Sequence, residues 1–268
     1  MTSGVPIGAH VDQNDPVGAA HARGADLAQF FLGDPQGWKG PRIAHPGGAE
    51  GLRAQAAQDG VDLYVHAPYL INVASTNNRI RIPSRKLLQQ QIDAATEIDA
   101  RGLIVHGGHL AKGEDPRVGV DNWCKTLERL DVTLPVLIEN TAGGDNAMAR
   151  LLERVAMLWD GLGARCDMDR VGFCLDTCHA HAGGEDLVGI VDRVKAVTGR
   201  IDLVHANGSR DAVGSGADRH TNLESGEIEP DLIVEVVAAA DAPVVCETPG
   251  GRDGQARDIA FLRSRLPS

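Results

Sequence analysis

No apolar run in these 268 residues approaches the roughly 20 that a membrane-spanning helix needs. The opening MTSGVPIGAH has neither a basic n-region nor a long apolar h-region, so the expectation is a soluble cytoplasmic protein with no membrane partner. Cysteine is sparse and odd in number: Cys124, Cys166, Cys174, Cys178 and Cys246. That excludes a secreted disulfide framework. No GxGxxG opens a helix and there is no P-loop, which speaks against the dinucleotide and nucleoside-triphosphate folds. Positive charge is in deficit, with 26 Lys and Arg against 37 Asp and Glu and a formal net charge of −11. The deficit argues weakly against non-specific nucleic-acid binding, which needs Lys and Arg to neutralise phosphates. Bound metal ions would add positive charge that a side-chain count never sees. Aromatic residues are few (four Phe, three Trp, two Tyr), whereas the 32 glycines cluster near candidate strand ends.

What is present is an alternation. Eight short apolar runs recur: 7–11, 26–32, 62–68, 102–108, 134–141, 171–178, 201–208 and 242–249. Most are nearly continuous in apolar residues, as expected of parallel strands covered on both faces. Between them, 83–99, 146–162, 184–197, 230–240 and 253–266 show helical periodicity. Pro83 suits a first helical turn, and Met148, Leu151, Leu152, Val155 and Leu158 make one apolar stripe. The segments 109–122 and 208–230 read as the longest polar connections. Eight strand–helix alternations predict an α/β protein, a single (β/α)8 TIM barrel spanning residues 1–268 as one catalytic domain. Barrel sites form at the C-terminal ends of the strands.

Those ends carry chemistry. The apolar stretch GFCLDTCH runs straight into Asp176, with His179 three residues on. His66, His106, Glu139, His205 and Glu247 end other runs at nearly the same depth. One such residue means little: a lone His is usually a satisfied polar group, and a lone carboxylate usually caps the next helix. Six on consecutive strand ends would be expensive without compensating cations. The polar loop after the seventh run adds Asp218 and His220, which project together if the chain is extended. The candidate ligands are therefore His66, His106, Glu139, Asp176, His179, His205, Asp218, His220 and Glu247. Mixed imidazole and carboxylate donors without a thiolate cage suit zinc or manganese. With Glu139 as a shared bridge, nine ligands suffice for three ions. His10 is expected in the outer sphere or near substrate, Asn140 and Asn207 as ligand-orienting or substrate-contacting groups, and Cys174 and Cys178 as small core residues.

In order and spacing, HAPYLIN (66–72), ENTAG (139–143), GFCLDTCHAHAGGEDL (172–187), DRHTNLESGEI (218–228) and ET (247–248) resemble the endonuclease IV family of zinc-dependent abasic-site endonucleases. The resemblance covers nearly the whole chain. It implies three zinc ions, with manganese or mixed loading as the alternative. It places the first on His66, His106 and Glu139, the second on Glu139, Asp176, His205 and Glu247, and the third on His179, Asp218 and His220. Glu139, Asp176, His179 and Glu247 are the ligands it implies for catalysis. The implied reaction is hydrolysis of the phosphodiester 5′ to an abasic site in double-stranded DNA by a metal-bound hydroxide, leaving a 3′-hydroxyl and a 5′-deoxyribose phosphate, with 3′-end trimming beside it. The implied role is base excision repair by a monomer. Tyr69 and Leu70 match the family's duplex-inserting side chains, and Asn207 is expected among the DNA contacts.

The chain also departs from the family pattern. Gln36 stands near the position of an intercalating arginine, Gly208 replaces the aspartate of the family's His-x-Asn-Asp run after the seventh strand, and His106 is followed by Gly-Gly where the family has Pro-Gly. A divalent-metal sugar isomerase on a related barrel is the enzyme alternative, and a DNA-binding protein without turnover the non-enzyme one. The third ligand set disfavours the isomerase, and retention of all nine ligands disfavours the binding protein.

Overall fold

A computed structural model describes residues 4–266; residues 1–3 and 267–268 of the expected domain lie outside the described residues. All eight apolar runs are strands: β1 (Ile7–His10), β2 (Leu27–Phe31), β3 (Asp62–His66), β4 (Gly102–His106), β5 (Val136–Glu139), β6 (Val171–Asp176), β7 (Leu203–His205) and, after the short β8 (Gly208–Ser209) and β9 (His220–Thr221), β10 (Val244–Cys246). The eight barrel strands pair in parallel and close in the order β1-β10-β7-β6-β5-β4-β3-β2. β8 and β9 form a small antiparallel pair in the long loop after β7. The expected TIM barrel is the observed one.

Two packed layers explain the continuous apolar runs. Outward-facing strand residues such as Val65, Val105 and Ile138 pack into a large core beneath the helices. Inward-facing Leu27, Tyr64, Ile104, Leu137, Cys174, Leu203 and Val245 fill the barrel itself. β1 contributes Gly8 to this inner layer, and a Cβ there would meet the Leu27 carbonyl oxygen at 1.9 Å. Side chains alternate along a strand. Two residues beyond each inner-layer residue stands another that faces into the barrel mouth: His10, Gln29, His66, His106, Glu139, Asp176, His205 and Glu247. The pleat therefore lifts the polar set onto a single ring above an apolar plug.

The helices are α1 (Pro16–His21), α2 (Gly48–Asp59), α3 (Asn78–Glu97), α4 (Pro116–Leu127), α5 (Leu152–Gly163), α6 (Thr177–Gly183), α7 (Ile190–Thr198), α8 (Pro230–Ala240) and α9 (Gly251–Arg265). Several sequence expectations need correction. α3 starts at Asn78, capped by the Asn77 side chain accepting from Arg79 N, so Pro83 lies inside the helix rather than in its first turn. The stripe at 146–162 is only partly helical. Residues 146–149 form a turn, a single bridge from Ala147 to His109 and bends beside the loop after β4, where Met148 N donates to Gly108 O at 2.8 Å. Met148 is buried there without belonging to a helix. α7 starts at Ile190 because Gly184, at φ +103°, ends α6 and Gly189, at φ +65°, turns the chain. The second half of the supposed polar connection 109–122 is the start of α4, capped by Asp115 with Pro116 at its first position. No helix among the described residues is long and apolar enough to cross a membrane.

Candidate metal centre

All nine predicted ligands converge on the barrel mouth in overlapping groups. His66, His106 and Glu139 offer ligand atoms within 4.8 Å of one another, and so do Glu139, Asp176, His205 and Glu247. These match the first two expected sets residue for residue. Strand register aligns them: His106 pairs with Glu139 across β4–β5, and Asp176 with His205 across β6–β7. The third set is less regular. Asp176, His179 and His220 form one group, and Cys178, Asp218 and His220 another. Asp218 nevertheless joins His179 and His220, with its two oxygens 3.2 and 3.1 Å from their Nε2 atoms. Burial pushes the Cys178 thiol up to about 12, so the core reading of that cysteine fits better than a thiolate ligand.

His179 owes its place to a local device. Asp176 ends β6 and is also the N-cap of α6, its Oδ1 accepting from His179 N at 2.7 Å. The first turn of α6 therefore brings the imidazole back over the strand end. His220 arrives from β9, and the residues before it run without helix, as the Asp218/His220 spacing anticipated.

Four of the five ligand rings are held by their other nitrogen. His66 Nδ1 donates to Ala67 O at 2.7 Å and leaves Nε2 facing Glu139 Oε2 at 3.1 Å. His205 Nε2 donates to Gln29 Oε1 at 2.8 Å, leaving Nδ1 3.1 Å from Glu139 Oε1. His179 Nδ1 lies 3.0 Å from Asn140 O, and His220 Nδ1 3.4 Å from Glu247 O. An imidazole that donates outward presents a lone pair inward, the arrangement used by metal-binding histidines. The Nε2 atoms of His179 and His220 are buried and make no hydrogen bond, although the Asp218 carboxylate is in range. Lone pairs facing carboxylate oxygens in a buried site need a cation between them.

The electrostatics agree. Glu139 and Asp176 are fully buried. Burial opposes ionisation of Glu139, yet His205 and His106 hold its carboxyl well below the usual range. Burial pushes Asp176 up. Against the downward pull of burial, Asp176 and Asp218 hold His179 well above its ordinary value, and Asp218 and Asp176 raise His220 to about 9. Five imidazoles and four carboxylates with no thiolate make a donor set that fits zinc or manganese better than calcium or magnesium.

Two buried amides orient the candidate ligands, one expected from the sequence and one not. Asn207 is fully buried, and its amide is spent inside the protein. It donates to Asp176 Oδ2 at 2.7 Å and accepts from Glu247 N at 2.9 Å. These bonds orient two candidate ligands, one of the two roles expected of Asn207. Gln29 was not singled out in the sequence because an amide does not stand out as a ligand. It is fully buried, accepts from His205, and donates to Glu247 Oε1 at 2.7 Å, with His10 Nδ1 at 3.0 Å. The signal was its position two residues after Leu27 on the inner face of β2. Replacing Gln29 with Leu should weaken the second group's hold on zinc by about 10- to 100-fold, read by competition with a chromophoric chelator. Equal affinities in the two proteins would show that the bridge carries no weight.

Asn140 also fills its expected orienting role, pairing with the Asp176 backbone at 2.9 and 2.7 Å. His10 is outer-sphere, 3.4 Å from Glu247 Oε1. Tyr69 is half exposed and Leu70 half buried at the lip of the mouth. Gln36 is exposed, in a turn where its N–H donates to Asp34. The Gly-Gly after His106 has a steric reason. Gly108 has φ +74°, and a Cβ on it would meet Asn72 Oδ1 at 2.6 Å, which would break the clamp between Asn72 and the His109 backbone.

Residues 17–265 match the family described as xylose isomerase-like TIM barrel. Over 262 residues the chain is 56% identical to a protein named Probable endonuclease 4 from Mycobacterium ulcerans (strain Agy99), covering 98% of this chain and 99% of that one. The fold superposes on endonuclease IV from Thermus thermophilus with a TM-score of 0.83 at 27% identity, covering 97% of this chain and 98% of the other. A D-tagatose 3-epimerase-like protein gives a TM-score of 0.77 at 18% identity over 97% and 96% of the two chains, a likeness of fold alone. Similarity to the endonucleases along nearly its whole length, on the same barrel, means that the chain belongs to the endonuclease IV family of the xylose isomerase-like TIM barrels.

Proposed function

We propose that this protein is a DNA repair endonuclease that hydrolyses the phosphodiester 5′ to an abasic site in duplex DNA. The products are a 3′-hydroxyl and a 5′-deoxyribose phosphate, and trimming of blocked 3′ ends accompanies the main reaction. The cofactor is three zinc ions, and the enzyme works as a cytoplasmic monomer on the chromosome. One observation carries the reading: three ligand groups are joined through the buried carboxylates of Glu139 and Asp176 at one open barrel mouth. A two-ion sugar isomerase has no use for the group built by His179, Asp218 and His220.

Bound divalent metal supplies Lewis acidity at phosphate oxygens and makes water nucleophilic at neutral pH. The chain's own residues supply the rest. Glu139 holds the first two groups in fixed relation, since its two oxygens face His66 and His106 on one side and His205 on the other. Asp176 joins the second group to the third. The outward hydrogen bonds of His66, His179, His205 and His220 keep ligand lone pairs aimed inward, so no reorganisation is needed when charge develops on the phosphate. Tyr69 stands beside His66 and His106, with ring centroids 5.6 and 5.7 Å away, and its exposed edge enters the space left by a missing base.

The test is incision of a duplex carrying one abasic site, with an undamaged duplex as control and the product ends mapped. Lesion-specific 5′ incision, lost on stripping zinc and regained on its return, supports the reading. Folded, fully metallated protein that cuts neither duplex overturns it. In the same assay Tyr69→Ala should narrow the preference for the abasic over the undamaged duplex by about tenfold, the scale of one lost aromatic contact, with unchanged metal content. Equal selectivity in both proteins would remove Tyr69 from recognition.

A further inference from the structure

Two of the three tryptophans are interior: Trp123 is 0% and Trp159 8% exposed. Trp38 is 51% exposed, on the loop between β2 and α2. An indole half in water costs free energy that the fold alone does not explain. Its loop is tied to the metal-site lip, because Tyr69 N donates to Pro35 O at 3.0 Å. A cleft of about 700 Å3 runs from His106 past Tyr69 to Trp38, with Lys112 on its wall. On the far side of Trp38 a second groove, of about 640 Å3, continues over the start of α3 between Arg79 and Lys86. Trp38 and Ile80 line both.

Charge changes sign along this path. The protein is acidic overall, yet residues 78–92 carry Arg79, Arg81, Arg85 and Lys86 and no carboxylate. Arg81 is engaged with the Ser75 carbonyl and the Asn78 side chain. Lys39, Arg79 and Lys86 are exposed and enter no ion pair among the described residues. Unpaired cations beside an exposed indole, on a track leading out of the metal centre, are the two elements of a nucleic-acid groove: a stacking platform and a row of phosphate partners.

We propose that Trp38 is the platform on which a base of the substrate duplex stacks, and that Lys39, Arg79 and Lys86 hold phosphates of the strand leaving the metal centre over α3. This extends the reading of the substrate as duplex DNA and rests on it. No hydrogen bond or ring pair among the described residues joins Trp38 to the nine candidate ligands, so its contribution is to binding and register.

The experiment uses the full-length metallated protein and a duplex carrying one abasic site whose 5′ phosphodiester is replaced by a non-hydrolysable methylphosphonate. Trp38 is the exposed indole, so its long-wavelength emission should be quenched by the duplex, and Trp38→Ala should abolish that change. Affinity should fall about 5- to 150-fold in Trp38→Ala, the range for loss of one base stack, with Trp38→Phe keeping most of it. In Arg79→Ala/Lys86→Ala the slope of log affinity against log salt should shrink by about 1.8, two phosphate contacts' worth. Zinc content should not change in any variant. Wild-type protein that incises abasic duplex with unaltered Trp38 emission, and a Trp38→Ala variant of equal affinity, would overturn this proposal and leave the proposed function standing. Wild-type protein that binds no duplex would overturn both.

Discussion

Glu139→Gln should leave the barrel folded and cut incision of an abasic duplex by about a thousandfold or more. Gln is nearly isosteric, so packing in this fully buried position survives. What is lost is the charge. The carboxylate lies 3.1 Å from His66, 3.3 Å from His106, 3.1 Å from His179 and 3.1 Å from His205. An amide can present only one oxygen to these rings, and its NH2 must face another. Two ligand groups share this residue, so both should weaken together, and zinc content should fall from about three to about one ion per chain, the remainder on His179, Asp218 and His220. Several kcal/mol of transition-state charge stabilisation go with the lost ions, and about 4 kcal/mol corresponds to a thousandfold in rate. Metal analysis beside the rate measurement decides the matter. Full zinc content with full activity would remove Glu139 as the bridge.

The second large effect is on stability. Buried carboxylates and imidazoles packed this closely are costly without a cation, so stripped protein should be clearly less stable than loaded protein. At free zinc of about a thousand times the dissociation constant, one site adds about 4 kcal/mol, which for a chain of this size raises Tm by on the order of 10 °C. Binding must also displace protons. His179 and His205 sit well above the ordinary histidine value against the pull of burial, held there by Asp176 for the first and by Cys174, Glu247 and Glu139 for the second. His220 is raised to about 9. A raised pKa means that the ring is protonated below it. At pH 7.5 the stripped protein therefore carries a proton on His220, which a bound cation must expel to reach the lone pair. Loading should release at least one proton per chain, measured by calorimetry in buffers of different ionisation enthalpy. The number should shrink as pH rises past about 9, where His220 has already lost its proton. Release near zero at pH 7.5 would mean that the rings are already neutral and the carboxylates do not hold them charged.

Much of this centre is visible in the sequence because strands alternate with a period of two. Once an apolar run is taken as a barrel strand, His66, His106, Glu139, Asp176, His205 and Glu247 must share a level, since each follows its inner-layer residue by two positions. Asp218 and His220 were legible for the same reason, as alternate residues of extended chain. Gln29 occupies the equivalent position on β2 and went unread, because ionisable side chains announce a ligand and an amide acts here only through hydrogen bonds to two of them. α4 was passed over although Asp115-Pro116 is a helix start, since polar residues around it matched a loop equally well. Met148 shows the converse failure. Apolar spacing at 146–152 fits a helix, but residues 146–149 pair with the loop after β4 and bury Met148 from there.

By itself the sequence determined the barrel and the ring of candidate ligand types at its mouth, because strand period and chain order leave those side chains few other places to go. Tertiary structure decided which nitrogen of each imidazole faces inward, because that depends on partners distant in the chain: Gln29 for His205, Asn140 for His179, Glu247 for His220. It decided how Asn207 is held, since its amide joins the Asp176 carboxylate to the Glu247 backbone across chain segments that no local pattern brings together. It also decided that Trp38, one of three tryptophans alike in the sequence, is the one left in water beside the cleft, because exposure is a property of how loops fold over one another.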